Sequence, residues 1–572
     1  MASLPASQEQ LTGTKLRLAI DEGIQHQLIR LQPMEKDDLP NGDQTWKVDR
    51  VRLLREEQRL QLTLSANEAD LAFLAKHHLF RIYVKFRNLL HHSEPLEVLR
   101  IQPSAKNLTL WLPLPQILTQ VFHREFFRVY VAGHLNIEAE VQTSIGSLRG
   151  QLADLSASGC RIQLPPQTAL HLLRPLDPLF RVRLIFPSQK DIHTPFEMTY
   201  LRPDDQFEFA LLGCHFLHAD QEEERRFFRL TLDVERELAK VTRQDQSHKR
   251  SSSLFLAPSK NSHHQPIKAT KKNLPSLIQP EQRKKILRMA DLLACQAFLV
   301  ALAENLNAKM MQQLASSLLQ ELEKDEQGFI FALNQPHPQI HPIILHSLRV
   351  AARSFPLMMK IGVSHRIELA VMASLLVHDI GKLFVSRHPC FNPLKLSPEH
   401  LRSMKRQHIA VLRSAASMKW IPQRIGESII VNSNERLDGS GYPRGLVGEK
   451  LDSLARTVSL VKVLDCLVSG LNDPAMTWRD AYRWVGQHKE WFDTGLLKRF
   501  MQHYGLRPLS AYIEFGDGKV ASVSRVDTQG IATSVILIEG DQPSSEVDLT
   551  PELVEQWGGI KAEVLAPPVA EA

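Results

Sequence analysis

Short runs of alternating apolar and polar residues dominate the chain from about residue 14 to 118. Lys15-Leu16-Arg17-Leu18, Trp46-Lys47-Val48-Asp49-Arg50-Val51 and Leu60-Gln61-Leu62-Thr63-Leu64 all alternate. Period-two alternation puts every second side chain on one face, as in a half-buried strand. These runs predict a small β domain, interrupted by a helical patch over 67–80. Strand-like sequence continues through Asp154–Ile162 and Leu212–Phe216, and 225–238 predicts a closing helix. Residues 243–280 then turn polar, basic and poor in core formers, which predicts a disordered linker. From Glu281 to Glu323 the spacing is that of a long amphipathic helical stretch. Residues 335–500 read as helix after helix, and the apolar run Leu369–Val377 predicts a buried one. After 500 the alternation returns. Ala511–Val523 predicts a hairpin turning at Gly516-Asp517-Gly518, Ser534–Ile538 predicts a further strand, and the tail after Val564 predicts disorder.

Length and composition narrow the class. A chain of 572 residues is too long for one core, and typical domain sizes predict about three or four. With 43% hydrophobic and 23% charged residues, the chain reads as soluble and globular. A net charge of +6 is mild at this length and gives no argument for nucleic acid. Cys160, Cys214, Cys295, Cys390 and Cys466 form no CxxC pair, as expected in a reducing compartment. The N-terminus lacks a signal pattern. The longest apolar run, Leu292–Ala303, stops at Glu304, too short for a bilayer. The expectation is a cytoplasmic protein with no direct membrane insertion. The pairs His77-His78 and His91-His92 lack a third ligand at helical or hairpin spacing, so they read as surface histidines.

Two stretches carry chemistry in the β half. Arg124 and Arg128 lie four apart in Phe122-His123-Arg124-Glu125-Phe126-Phe127-Arg128. Guanidinium groups in a loop can grip phosphate bidentately, read a guanine edge and stack on a purine. Asp154, Ser156 and Gly159 follow on a tight strand turn, Asp154-Leu155-Ser156-Ala157-Ser158-Gly159. Either half alone suits a surface arginine pair or an ordinary turn. In this order and spacing they resemble the PilZ signature RxxxR…(D/N)xSxxG over about 120–240. The resemblance implies binding of cyclic di-GMP, with Arg124 and Arg128 on guanine and phosphate. Asp154, Ser156 and Gly159 would complete the ligand surface. It departs at His123, where relatives often carry a further arginine. The upstream β domain resembles the partner domain of flagellar-brake PilZ proteins.

The helical half holds a second constellation: His346, the pair His378-Asp379 with Lys382 just beyond, His408, and Asp465. Singly, a histidine in a helix is more often a satisfied core or surface residue. Asp465 sits in a mostly apolar helix, where a carboxylate needs an Arg or Lys from a neighbouring helix, hydrogen bonds or a metal. The set H…HD…D, with Asp438-Gly439-Ser440-Gly441-Tyr442-Pro443 downstream, resembles the HD-GYP subfamily of HD metal-dependent phosphohydrolases over about 290–500. That resemblance implies cyclic di-GMP hydrolysis. His346, His378, Asp379 and Asp465 would hold a first metal and His408 a second, with Asp379 bridging. Lys382 would lie against the substrate phosphate, and Gly441, Tyr442 and Pro443 would form the substrate loop. The family pattern fails where a His-His-Glu triplet is replaced by Ser433-Asn434-Glu435. Hydroxyl and amide are poor replacements for imidazole at a transition metal. Leu471 and Pro474 stand where the family grips substrate with basic residues, and Leu412 stands where it has a glycine. The implied cofactor is a divalent metal, iron or manganese, as one ion rather than two.

The expected fold is multidomain α+β. Two N-terminal β-barrel-like domains (1–118 and 119–241) precede the linker (242–280), an all-α HD-type domain (281–500) and a small C-terminal β appendage with tail (501–572). Three functions compete: a cyclic di-GMP-responsive phosphodiesterase, a non-catalytic cyclic di-GMP receptor whose HD-GYP-like half serves protein interaction, and a one-metal HD phosphohydrolase acting on another nucleotide. Candidate protein partners are a diguanylate cyclase, a motility or signalling protein, or a second copy.

Overall fold

A computed structural model describes residues 10–25, 29–34, 46–54, 57–65, 68–86, 89–104, 107–120, 128–131, 133–143, 146–173, 180–218, 220–243, 252–256, 279–385, 397–471, 474–539 and 542–565. The N-terminal unit is built from two antiparallel sheets. In one, strand Leu79–Phe86 pairs with Ile29–Met34 and Leu89–Ser93. In the other, Asn107–Pro113 lies between Arg59–Ser65 and Arg100–Pro103. Leu60, Leu62 and Leu64 face Leu112, Leu110 and Leu108 in register, and all six are fully buried. The alternation therefore marks the core face. The helical patch is shorter than expected. Helix Glu68–Leu74 ends before Leu79, where strand pairing takes over.

The second β unit closes on itself. Strand Gly146–Ser156 pairs with Glu138–Thr143 on one side and Gly159–Leu164 on the other. Phe180–Ile185, Asp191–Pro203 and Ala210–Phe216 complete the circuit. Such closure removes free sheet edges. The short strand Val129–Tyr130 pairs with Leu155 and Asp154, and helix Gln221–Arg243 follows the barrel. Most of the expected linker lies outside the described residues. Residues 252–256 correct that expectation, because they pack on the barrel. The Ser188 amide donates to the Leu254 carbonyl at 3.0 Å, and the Phe255 ring meets Phe186 edge-on at 5.8 Å. These two apolar side chains are half-buried against the barrel, which removes apolar surface from water.

The expected long amphipathic stretch is two helices, Pro280–Ala301 and Ala308–Asn334. Asn307 caps the second by accepting from the Met310 amide at 3.0 Å. Helix Pro280–Ala301 packs against strand Asp191–Pro203 and the turn Pro166–Ala169 of the barrel. The next turn, Leu170–Leu173, touches the 3₁₀ turn Ile380–Phe384. The His341 amide donates to the Gln167 side-chain oxygen across the same contact at 3.0 Å. Barrel and helical half share one apolar core.

Helices Pro342–Lys360, Glu368–Val377, Pro398–Ala416 and Ser453–Ser469 surround the second constellation. The expected buried helix is there: every side chain from Ala370 to Val377 is buried. Tyr512–Phe515 and Val520–Val526 form the expected C-terminal hairpin within a five-stranded antiparallel sheet. Gln327 ties this sheet to helix Ala308–Asn334 through both backbone groups of Val526, at 2.8 and 3.0 Å. Residues 566–572, where a disordered tail is expected, lie outside the described residues. No helix among the described residues is long and apolar enough to cross a membrane.

Candidate functional site

Helix Glu368–Val377 ends at His378, and the chain turns there into the 3₁₀ segment Ile380–Phe384. That turn puts His378, Asp379 and Lys382 on one wall of a buried centre. His346 comes from helix Pro342–Lys360, His408 from Pro398–Ala416, and Lys462 and Asp465 from Ser453–Ser469. Lys462 and Asp465 are three apart, so they share a helix face. All seven side chains are buried. His346, His378 and Asp379 offer ligand atoms within 4.8 Å of one another.

The three imidazoles are set in the same way. His346 Nδ1 meets Asp465 Oδ2 at 2.7 Å, His378 Nδ1 the Leu375 carbonyl at 2.7 Å, and His408 Nδ1 the Met404 carbonyl at 2.8 Å. An acceptor at Nδ1 fixes the proton there and leaves the Nε2 lone pair for a ligand. Each Nε2 faces Asp379. Those of His346 and His378 lie 3.4 and 3.6 Å from Oδ2, and that of His408 lies 3.4 Å from Oδ1. Burial pushes His378 and His408 below the usual imidazole value, which favours their neutral form. The fully buried His378 Nε2 has no hydrogen-bond partner. A buried orphan lone pair beside a carboxylate fits a metal ion, the group that an HD centre implies.

Two lysines share Asp379 with the imidazoles. Lys382 Nζ lies 2.5 Å from Oδ2 and Lys462 Nζ 2.8 Å from Oδ1. Burial alone would raise the Asp379 carboxyl, but these ammonium groups hold it well below the usual range. Burial in turn lowers Lys462 to about 8, against the pull of Asp379.

Asp465 is turned away from the ligand cluster. Its Oδ2 holds His346, and its Oδ1 accepts from Arg353 Nη1 at 2.7 Å. Arg353 is seven residues beyond His346 on the same helix, and its guanidinium lies 5.1 Å from the Trp478 ring. Burial opposes ionisation of Asp465, but the His346 hydrogen bond and the nearby arginines bring it down to about 2.

The segment after Val431 closes over the centre. Glu435, not a ligand, pins the loop by accepting from the Arg444 amide at 2.6 Å and the Leu446 amide at 3.1 Å. Gly441 is needed there, because a Cβ would sit 2.4 Å from the Arg436 nitrogen and the Glu435 Cα. The Tyr442 hydroxyl donates to Asn434 Oδ1 at 3.1 Å, and its ring stands edge-on to His408 at 6.0 Å. The Tyr442–Pro443 bond is cis. Asn434 Oδ1 also accepts from Lys462 Nζ at 2.8 Å. Leu471 is half-buried and Pro474 exposed, and neither has a charged group to offer.

The β half holds the second site. Asp154 is buried on its strand and receives Arg128 Nη1 at 2.8 Å and Arg161 Nη2 at 2.7 Å. The Arg161 guanidinium lies 5.5 Å from the ring of Tyr130, which is 59% exposed. Ser156 Oγ donates to the Gly159 carbonyl at 3.0 Å. A Cβ on Gly159 would sit 2.2 Å from the Cys214 carbonyl oxygen, so a neighbouring strand requires glycine there. Arg124 lies outside the described residues. Two planar cations aimed by one carboxylate, beside an exposed aromatic ring, suit a phosphate and a stacked base.

Sequence reasoning passed over Lys462, Arg353, Arg161 and Tyr130. Lys462 left a signal: a lysine in an apolar helix three residues before an acid. Arg161 left one too, since it alternates onto the Asp154 side of the hairpin. Arg353 left one as well, seven residues beyond His346 on the same helix face, whereas Tyr130 left none, because only packing places it.

The chain is 32% identical over 127 residues to the 3′3′-cGAMP-specific phosphodiesterase 1 of Vibrio cholerae, covering 21% of this chain and 28% of that protein. It is 34% identical over 113 residues to the cyclic di-GMP phosphodiesterase response regulator RpfG of Xanthomonas campestris, covering 19% and 29%. It is 25% identical over 182 residues to the cyclic di-GMP phosphodiesterase PA4108 of Pseudomonas aeruginosa, covering 31% and 43%. The chain thus spans less than half the length of each of these relatives. Family models match at residues 122–233 and 308–496, the stretches that hold the two sites. The chain therefore carries a PilZ domain around Asp154 and an HD domain around Asp379.

Proposed function

We propose that this protein binds a cyclic dinucleotide at its PilZ barrel and hydrolyses one at its HD centre. Cyclic di-GMP is the ligand for the first site, with Arg124, Arg128 and Arg161 gripping it. Asp154 aims the arginines, while Ser156 and Gly159 shape the turn. The observation that carries the catalytic half is the set of three imidazoles presenting Nε2 to one buried carboxylate. His346, His378 and Asp379 hold a divalent ion, iron or manganese, and Asp465 orients His346 from behind. His408 stands at the Oδ1 side of Asp379. When bound, such an ion lowers the pKa of a water and stabilises charge on a phosphodiester. Lys382 supplies a cation beside Asp379 for the substrate phosphate. Gly441, Tyr442 and Pro443 form a wall that excludes water. The relatives' names point to two substrates, cyclic di-GMP and 3′3′-cGAMP, so both belong in the assay.

The test is turnover of each dinucleotide by full-length protein loaded with manganese or iron, with metal content measured alongside. Cleavage that disappears in Asp379→Ala is expected. A metal-loaded protein that cleaves neither would overturn the catalytic reading.

A second reading is favoured by one specific observation. Ser433 and Asn434 offer no imidazole, and Lys462 occupies part of the centre. In that reading the HD half is a non-catalytic interaction module answering the PilZ site, with a diguanylate cyclase, a motility protein or a second copy as partner. In either reading the place proposed for the protein is the cytoplasm, in keeping with five cysteines that form no CxxC pair.

A further inference from the structure

We infer that the ammonium of Lys462 occupies the second metal position, so that the Asp379 centre holds a single divalent ion. The inference rests on the reading of this centre as a metal site and specifies its stoichiometry. The two oxygens of Asp379 face different neighbours. Oδ2 faces Nε2 of His346 at 3.4 Å and of His378 at 3.6 Å. Oδ1 faces Nε2 of His408 at 3.4 Å and Lys462 Nζ at 2.8 Å. An ion sharing Asp379 with the first would need the Oδ1 side and His408. The ammonium stands there.

Its surroundings hold it. Lys462 is 5% exposed and rises from a helix whose neighbours Val458, Val461 and Leu464 are buried. A buried ammonium is costly unless oxygens surround it. Asp379 Oδ1 and Asn434 Oδ1 both meet it at 2.8 Å. The Tyr442 hydroxyl donates to the same Asn434 oxygen, which orients the amide with its carbonyl toward the lysine. Asn434 thus serves an ammonium rather than a metal. Metal–oxygen bonds run to about 2.0–2.2 Å, so an ion bound to Oδ1 and His408 would overlap the ammonium's place.

Charge favours the same division. Lys382, Lys462 and Arg353 already bring three cations to the two carboxylates Asp379 and Asp465. A second dication would add to that excess with no new anion. On the other side, His378 Nε2 is buried and without a hydrogen bond. The centre is therefore asymmetric, with a ligand lone pair toward Oδ2 and the Lys462 ammonium toward Oδ1. Lys462 would supply charge and hydrogen bonds to a phosphoryl oxygen without Lewis acidity.

The test is manganese per chain, by elemental analysis of full-length protein after loading and dialysis. Wild type is compared with Lys462→Asp, which exchanges the cation for a carboxylate, and circular dichroism confirms folding. About one ion in wild type and about two in Lys462→Asp is the expected result. Two ions in wild type would overturn the role of Lys462 and leave the metal-centre reading intact. A folded Lys462→Asp that stays at the wild-type count would also overturn it. No ion in wild type would overturn the single-ion inference and, with it, the reading of the centre as a metal site. If Lys462→Asp does not fold, the wild-type count decides by itself: one ion supports the inference and two overturn it.

Discussion

Asp154 and Asp465 are both buried carboxylates, each holding two partners. Asp154 aims Arg128 and Arg161 outward, and Asp465 is braced by Arg353 and turns His346 inward. Their roles separate from those of the groups they hold. Arg161→Ala removes a guanidinium from the PilZ surface and should weaken cyclic di-GMP binding by about 10–100-fold, since a charge-assisted pair contributes roughly 1.5–3 kcal/mol. Isothermal calorimetry measures this, and unchanged affinity would contradict the site. At the other centre, His378→Ala should abolish metal binding. Asp465→Asn should instead lower manganese affinity by about 10–100-fold, the usual effect of losing a group that orients a ligand. Equal losses in both variants would mean that Asp465 ligates directly.

Among the elements, helix Pro280–Ala301 joins the two halves, and it carries a titrating group in the joint. Burial raises Asp291 to about 6, with Gln167 and Arg288 pulling the other way. The folded state therefore binds a proton more tightly than the unfolded chain, whose carboxyl titrates near 3.8. The associated stability is full below 3.8 and is lost as pH rises through about 6. Asp291→Asn should stabilise the protein at pH 7.5 by on the order of 2 kcal/mol and have little effect at pH 4. Urea midpoints at the two pH values check this, and a pH-independent difference would count against it. The loop after Val431 gives a second case. Glu435 ties down two amides and Gly441 fits where a Cβ would collide with backbone. Gly441→Ala should displace Tyr442 from Asn434, seen as faster amide exchange over residues 436–446.

For the whole molecule, one contact bears on whether the two sites communicate. The turn Leu170–Leu173 of the barrel touches Ile380–Phe384, which directly follows His378-Asp379. Packed cores shift in discrete steps rather than bending smoothly, so a change in the barrel has a short route to the Asp379 centre. Addition of cyclic di-GMP should alter hydrogen exchange in residues 380–384, and Gln167→Ala, which cuts the bond to His341, should reduce that effect. Exchange changes confined to the barrel would show two independent sites.

The sequence alone determined the order of the β and helical units and the strand faces marked by Leu60, Leu62 and Leu64, and it named His346, His378, Asp379 and His408, which the fold brings together. These were legible because alternation, apolar runs and ligand spacing are local properties of the chain. By resemblance it made Asp465 a ligand of the first metal, although an apolar helix by itself asked only for a partner such as a cation, and it passed over Lys462. Tertiary structure decided both. Asp465 meets His346 and Arg353 from another helix, and Lys462 meets Asp379 from across the centre. The linker shows the same limit, since Leu254 and Phe255 are held by a barrel distant in sequence. A side chain's partner depends on which helices pack together, and that is a property of the whole core rather than of any stretch of sequence.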